Sequence, residues 1–266
     1  MSGMEDLLIA GGTEMMSYTA TMAQEERAAG LPPMMMGSGN ARLQAHHPQS
    51  HQGVCGDAIA SMEGISRADV DALGLESQKR AAQAIAEGRF SKSVIPVYRE
   101  DGTLALDHEE FPRPQTTMEG LSALEPSFTK IADMPLDAQG TTFRKLINAK
   151  YPDLKIEHMH HAGNSSGVVD GAAAVLLASK AYAEKNGLKP RARIVTMANM
   201  GDCPTLMLNA PVPAAKKVLE KAGLTLDDID LFEINEAFAT VAMAAHYATP
   251  VMVVIDSPRG PDGRLS

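Results

Sequence analysis

Tryptophan is absent from this 266-residue chain, and aromatic residues make up only 4% of it. A core built on large rings is therefore excluded. Its place falls to Ala, Val, Leu, Ile and 17 Met, packed closely with 22 Gly as in α/β layers. Two cysteines, Cys55 and Cys203, are too few for a disulfide framework and fit a reducing compartment. Positive charge is also scarce. A formal charge of −9 and a pI near 5.4 argue against a nucleic-acid partner, and any ligand phosphate would have to meet local basic groups. No apolar run approaches the ~18–20 residues of a membrane span. No N-terminal segment joins a basic start, an apolar stretch and a small-residue cleavage site, so the cytoplasm is the expected location.

What is present points to a folded protein. Hydrophobic residues reach 44%, and the length suits one large domain or two modest ones. Residues 6–10 (DLLIA) read as a buried strand with a tight exit at Gly11-Gly12. Residues 30–52, rich in Pro, Gly, Met and His, show no period and read as an ordered loop. Ser66 followed by Asp69 predicts a capped helix start. Val70, Leu73, Ala81, Ala84 and Ile85 then recur at helical spacing up to Gly88. Residues 94–98 predict a strand, and the polar, Pro-punctuated stretch 104–139 a loop subdomain rather than a core. Buried strands are predicted over 171–178 and 230–234, and another strand over 191–197 that opens a second half. A helix over 182–186 is closed by Gly187. Another opens at Pro213 and stops at Gly223, before a second capping pair at Thr225 and Asp228. Strands alternating with helices predict an α/β layered fold.

Several groups could carry chemistry. Gly163-Asn164-Ser165-Ser166-Gly167 fits G-x-S-x-G, the pattern of a hydrolase nucleophile elbow, which must sit between a strand and a helix. A later Asp202 and His246 would complete a serine-hydrolase triad on Ser165. The plain alternative is a structural turn or ligand loop. Histidines cluster at His46, His47, His51 and at His158, His160, His161. The second group has no evident carboxylate companion in the sequence, so no metal site is expected. Gly11-Gly12 lacks the continuation of a nucleotide loop, and Met34-Met35-Met36 reads as adaptable packing. Asn235, predicted to follow a strand and open a helix, could orient a water or an anion, or merely cap the helix.

Taken together, several segments resemble the thiolase family. They are Ala10-Gly-Gly-Thr-Glu-Met-Met-Ser17, His51-Gln-Gly53, Ser77-Gln78 with Glu87-Gly-Arg-Phe90, and His161-Ala-Gly-Asn-Ser-Ser-Gly167 running on to Asp170-Gly-Ala-Ala-Ala174. Met207, Asn209-Ala-Pro-Val-Pro213 and Glu233-Ile-Asn-Glu-Ala-Phe-Ala239 complete the set. The resemblance implies a truncated, layered αβαβα fold. Residues 1–186 would form a partial N-terminal half with a loop subdomain at about 37–165. Residues 187–244 would form a partial C-terminal half, and 245–266 a tail without family likeness. It implies an acetyl-CoA C-acyltransferase acting on acyl-CoA and CoA, with coenzyme A as substrate, no cofactor, and a homo-oligomeric complete form. Carried residue by residue, Asn235 matches the Asn that holds an oxyanion water. Ser166 and Ala162 match the loop against the pantetheine arm, His51 lines the same side, and Met207 and Phe238 match the acyl pocket. The family's nucleophilic cysteine and its GHP histidine find no counterpart, so the chain as given is expected to be inactive.

Overall fold

Helices carry most of the packing in this structure, a computed structural model that describes residues 3–30, 40–248 and 255–256. The predicted Met34–Met36 packing run lies outside those residues. β1 (Leu7–Glu14) leads into α1 (Met16–Ala28), α2 (Ala41–His46), α3 (Gln52–Glu63) and α4 (Arg67–Ala86). A short hairpin of β2 (Val97–Tyr98) and β3 (Leu104–Leu106) precedes α5 (Met118–Ser122), α6 (Thr129–Ala132) and α7 (Phe143–Lys150). β4 (Gly171–Ala178), α8 (Lys180–Lys185), β5 (Arg193–Ile194), α9 (Pro211–Ala222), α10 (Ala239–Ala248) and β6 (Ile255–Asp256) complete the order.

Local chemistry explains the best-defined helices. Ser66 and Asp69 form a reciprocal capping box at the head of α4, and Gly88 just past its end has φ +66°, which only glycine adopts cheaply. Asn40 caps α2, and His51 caps α3 through Nδ1, so the stretch expected to be loop over 30–52 contains two helix starts. The capping signal there was Asn and His rather than Ser or Thr. α9 opens at Pro211, not Pro213, and ends as expected at Gly223, left-handed with φ +66°. Thr225 and Asp228 do form a capping box, but it heads only a three-residue 3-10 turn.

β1 pairs antiparallel with β4, Ile9 opposite Leu176 and Gly11 opposite Ala174. The strand does not exit at Gly11-Gly12 but runs through both glycines. A Cβ on Gly11 would lie 2.7 Å from the Ala173 carbonyl oxygen, so glycine allows the close approach of the small Ala172–Ala174 run. Neither strand is buried as expected. Every residue of β1 is exposed, and alternate residues point to opposite faces, so both faces of the ladder are uncovered. Residues 230–234, expected as a strand, pair with nothing in a ladder and are mostly exposed. Hydrophobicity alone makes no strand, because its backbone groups need a neighbour to bond.

The core lies elsewhere. Val54, Cys55 and Ala58 of α3 pack with Ala132, Phe143, Ile147, Ile156, Cys203 and Leu206, and Phe128, Ile131 and Met207 rest on them. A second cluster joins Ala60, Ile65, Val70, Met159 and Ala239. The stretch 104–139, read as polar loop, thus contributes Leu121 and Ala132 to the interior. Its apolar residues fall on short helices of four or five residues, too short to show a period.

Candidate functional site

Asp57, fully buried on α3, organises the site. Its Oδ1 accepts from the backbone N–H groups of Met159 (3.1 Å) and His160 (3.0 Å) and from His160 Nδ1 (2.7 Å). Its Oδ2 meets His158 Nδ1 at 2.6 Å. Arg144 only donates, and its bond to His158 Nε2 at 2.8 Å leaves the proton of that ring on Nδ1. At His160, whose Nε2 lies 2.8 Å from the Thr240 hydroxyl, the acceptor-only carboxylate itself requires Nδ1–H. Burial pushes the Asp57 carboxyl upward, yet the hydrogen bonds from His158 and His160 prevail and hold it below the ordinary aspartate value. The carboxylate companion that the sequence did not reveal is therefore 101 and 103 residues away from these histidines. No spacing rule could have found it.

A second carboxylate, Asp71 of α4, holds the following loop. His161 Nε2 and Asn164 Nδ2 both meet Asp71 Oδ1, at 2.9 and 2.8 Å. His161 Nδ1 accepts from Gly163 N–H at 3.0 Å. Burial, with Arg67 nearby, pushes the His161 pKa down, favouring the neutral ring this geometry needs. At Gly163 a Cβ would fall on the end of the Leu121 side chain, so glycine lets the loop pack closely there.

The two most specific motifs of the sequence meet here. Ser166 N–H donates to Ala237 O at 3.0 Å, Ala239 N–H donates to Asn164 O at 3.0 Å, and Ser165 bridges Phe238 antiparallel. Beside this junction, rings form a row. His51 lies 5.5 Å from Phe143 and 5.4 Å from Phe128, which lies 5.7 Å from Phe238, and Phe238 lies 5.4 Å from His160. The row borders a cavity of about 1370 Å³ lined also by Ala162, Ser165, Ser166 and Gly167. A smaller recess of about 290 Å³ shares Ser165, Ser166 and Gly167 and is lined by Asn235, Glu236 and Ser77. Glu236 accepts from Ser77 Oγ at 3.0 Å.

Of the residues singled out from the sequence, His51, Ala162, Ser166 and Phe238 line the large cavity. Asn235 lines the recess, four residues before α10 begins and with no strand ahead of it, so it is neither at a strand-to-helix junction nor a helix cap. Met207 packs against the core cluster instead of the cavity wall, with φ +43°, the one positive value among described non-glycine residues. Ser165 has no strand before it and no helix after it, and its Oγ has no hydrogen-bond partner. Asp202 bonds the Cys203 N–H instead of completing a triad, and the His246 side chain lies outside the described residues. The nucleophile elbow is not formed. Cys55 Sγ donates to Thr205 O, and burial pushes its thiol up to about 12. Cys203 meets Lys150 Nζ at 3.0 Å. Neither thiol lines the cavity. Residues that sequence reasoning missed are Asp57, Asp71, Phe128 and Phe143, all reached only across long sequence separations.

The fold and site define a mixed α/β protein with a ligand-sized cavity walled in part by the junction of two short motifs. Comparison with known proteins gives the family. The family "Thiolase, N-terminal domain" matches residues 1–133 and "Thiolase, C-terminal domain" matches residues 188–253. The chain belongs to the thiolase family. It is 35% identical over 254 residues to an acetyl-CoA acetyltransferase of Syntrophomonas wolfei, covering 91% of this chain and 56% of that protein. It is 40% identical over 194 residues to a 3-ketoacyl-CoA thiolase of Aliivibrio fischeri, covering 72% and 44%. The crystal structure of the dimeric peroxisomal thiolase of Saccharomyces cerevisiae superposes with a TM-score of 0.72 at 30% identity, covering 92% of this chain and 55% of that one. The chain thus spans about half the length of the relatives it matches. Among the described residues no helix is long and apolar enough to cross a membrane.

Proposed function

We propose that the chain is the acyl-CoA-handling portion of a thiolase-type acyltransferase, which cleaves 3-ketoacyl-CoA with CoA or runs the reverse condensation in fatty-acid metabolism. One observation supports this most. Residues 161–167 and 237–239 are stitched together beside a large cavity, with His51, Ala162, Ser166 and Phe238 on its wall. Ser166 and Ala162 would lie along the pantetheine arm, with His51 on the same side, and Phe238 would face the acyl group. Asn235, from the adjoining recess, would hold the water that donates to the oxygen gaining charge in the transition state. The apolar rings suit the acyl chain, while the thioester end meets the polar junction. In this reading neither Cys55 nor Cys203 opens the thioester, so the chain alone binds CoA without turning it over. It works in the cytoplasm, and as a homo-oligomer in its complete form.

Calorimetric titration with CoA tests the binding reading. Wild type should bind, and Ser166→Ala should weaken binding by roughly 3–10-fold, the scale of one lost hydrogen bond. Absence of heat with both CoA and acetyl-CoA would sink it. In a chimera carrying the remaining family segments, Asn235→Ala should lower kcat by about 10²–10³ with little change in KM for CoA. Labelling of Ser165 by a fluorophosphonate would instead favour a serine hydrolase.

A further inference from the structure

Lys150, the last residue of α7, reaches across 53 residues of sequence to place its Nζ 3.0 Å from Cys203 Sγ. Neither residue lines the cavity or the recess, so the CoA reading makes no use of the pair. Burial pushes the Cys203 thiol upward, yet the hydrogen bonds from Lys150 and from the backbone N–H groups of Leu206 and Thr205 prevail. They hold it below the ordinary cysteine value. The same hydrogen bond pushes Lys150 upward, so thiolate and ammonium favour each other. Cys203 is 9% exposed and Lys150 lies on the surface, so a small oxidant reaches the sulfur. Cys55 shares the core cluster but competes poorly. It is fully buried, donates to Thr205 O, and keeps its proton with the thiol pushed up to about 12.

The chemistry open to such a pair is oxidative. A thiolate attacks hydrogen peroxide, the O–O bond breaks, sulfur gives up two electrons to become a sulfenic acid, and hydroxide leaves. The Lys150 ammonium can give that hydroxide its proton, which releases water and leaves a neutral amine beside the sulfur. The amine lone pair then attacks the sulfenic sulfur. An S–N bond forms as the S–O bond breaks, and the departing hydroxide takes an amine proton to leave as a second water. Sulfenic acids condense with a nitrogen held within reach in this way. We propose that Cys203 and Lys150 form a redox modification site at which peroxide closes a reversible sulfenamide bridge. The bridge joins α7, whose Phe143 and Leu146 line the cavity, to the 203–208 segment, whose Thr205 donates to the Pro48 carbonyl oxygen. It needs no ligand in the cavity, so it is independent of the CoA reading.

Treatment of the chain with hydrogen peroxide, followed by alkylation of free thiols and peptide mapping without reductant, tests it. The expected product joins the Lys150 peptide to the Cys203 peptide, two hydrogens lighter than their sum, and dithiothreitol releases it. Cys55 should remain a free thiol throughout. Lys150→Arg keeps the positive charge but has no amine to give, so Cys203 should stop at the sulfenic acid and be captured by dimedone. Lys150→Gln should oxidise about tenfold more slowly, because a smaller share of Cys203 is thiolate. The Lys150 side chain lies on the surface, so both variants should fold, and matching melting temperatures check that. A wild-type Cys203 that stays alkylatable would overturn the inference. So would one that stops at or passes beyond the sulfenic acid without a linkage, or one that pairs with Cys55 in a disulfide. A Lys150→Gln variant that oxidises as fast as wild type would overturn it too.

Discussion

Asp57 shows how much one residue can hold in this protein. It accepts from two backbone N–H groups and two imidazoles in a place without solvent access. Asp57→Ala leaves those donors unpaired, and at about 1–3 kcal/mol for each buried orphan the loss should be at least about 3 kcal/mol. Urea denaturation measures it; a loss below about 1 kcal/mol would show that water or rearrangement replaces the carboxylate. The histidines make a different prediction. Burial lowers the pKa of both His161 and His51. The unfolded chain then takes up protons first as pH falls, so the stability these neutral rings give is present above about 6.5 and is lost as pH drops below it. His108, exposed beside Asp107, is shifted upward and acts in the opposite sense, but solvent screens it. The melting temperature should fall between pH 7.5 and 5.5, and His161→Gln should flatten that slope while lowering the melting temperature at pH 7.5. A slope identical in the variant would dissociate His161 from it.

At the scale of elements, α3 and α4 carry the framework to which the site loops attach. α4 begins in a full capping box, and its Asp71 anchors His161 and Asn164. Ser66→Ala should cost about 1 kcal/mol, the usual value of a lost N-cap, with CoA affinity kept if the end of α4 merely frays. Gly53, in the first turn of α3, faces the Phe128 ring, and a Cβ there would fall on that ring. Gly53→Ala should push Phe128 out of the aromatic row and cost about 1–3 kcal/mol. Unlike Ser66→Ala, it should also weaken ligand binding, because Phe128 lines the cavity. Equal effects of the two variants on binding would argue against the row as a wall of the site.

The whole molecule is unevenly covered. Its interior lies around α3, α7 and the 203–208 segment, while the β1–β4 ladder stands open on both faces. Ile9 is 78% exposed and Leu176, directly opposite it, 62%. Two open apolar faces and unpaired strand edges favour pairing with another chain. The isolated chain should therefore associate with rising concentration, and Ile9→Lys should shift it toward monomer. Light scattering after size-exclusion chromatography checks this. A wild-type monomer with one sharp melt at high concentration would refute it.

The sequence by itself determined the family, through the 161–174 and 233–239 motifs, together with local features such as the Ser66–Asp69 box and the left-handed stops at Gly88 and Gly223. These depend on residues within a few positions of one another, so their physics is written in the local order of the chain. It also placed strands at β1 and β4, though with one wrong end and the wrong burial. Burial depends on what packs above a strand, and a run such as DLLIA cannot state that. Only the tertiary structure decided that residues 230–234 form no ladder, that Met207 joins the core cluster, and that a supposed polar loop carries part of the interior. It alone brought Asp57 to His158 and His160, and Asp71 to His161. Those bonds span some 90 to 103 residues, where no periodicity operates and only folding sets the distance.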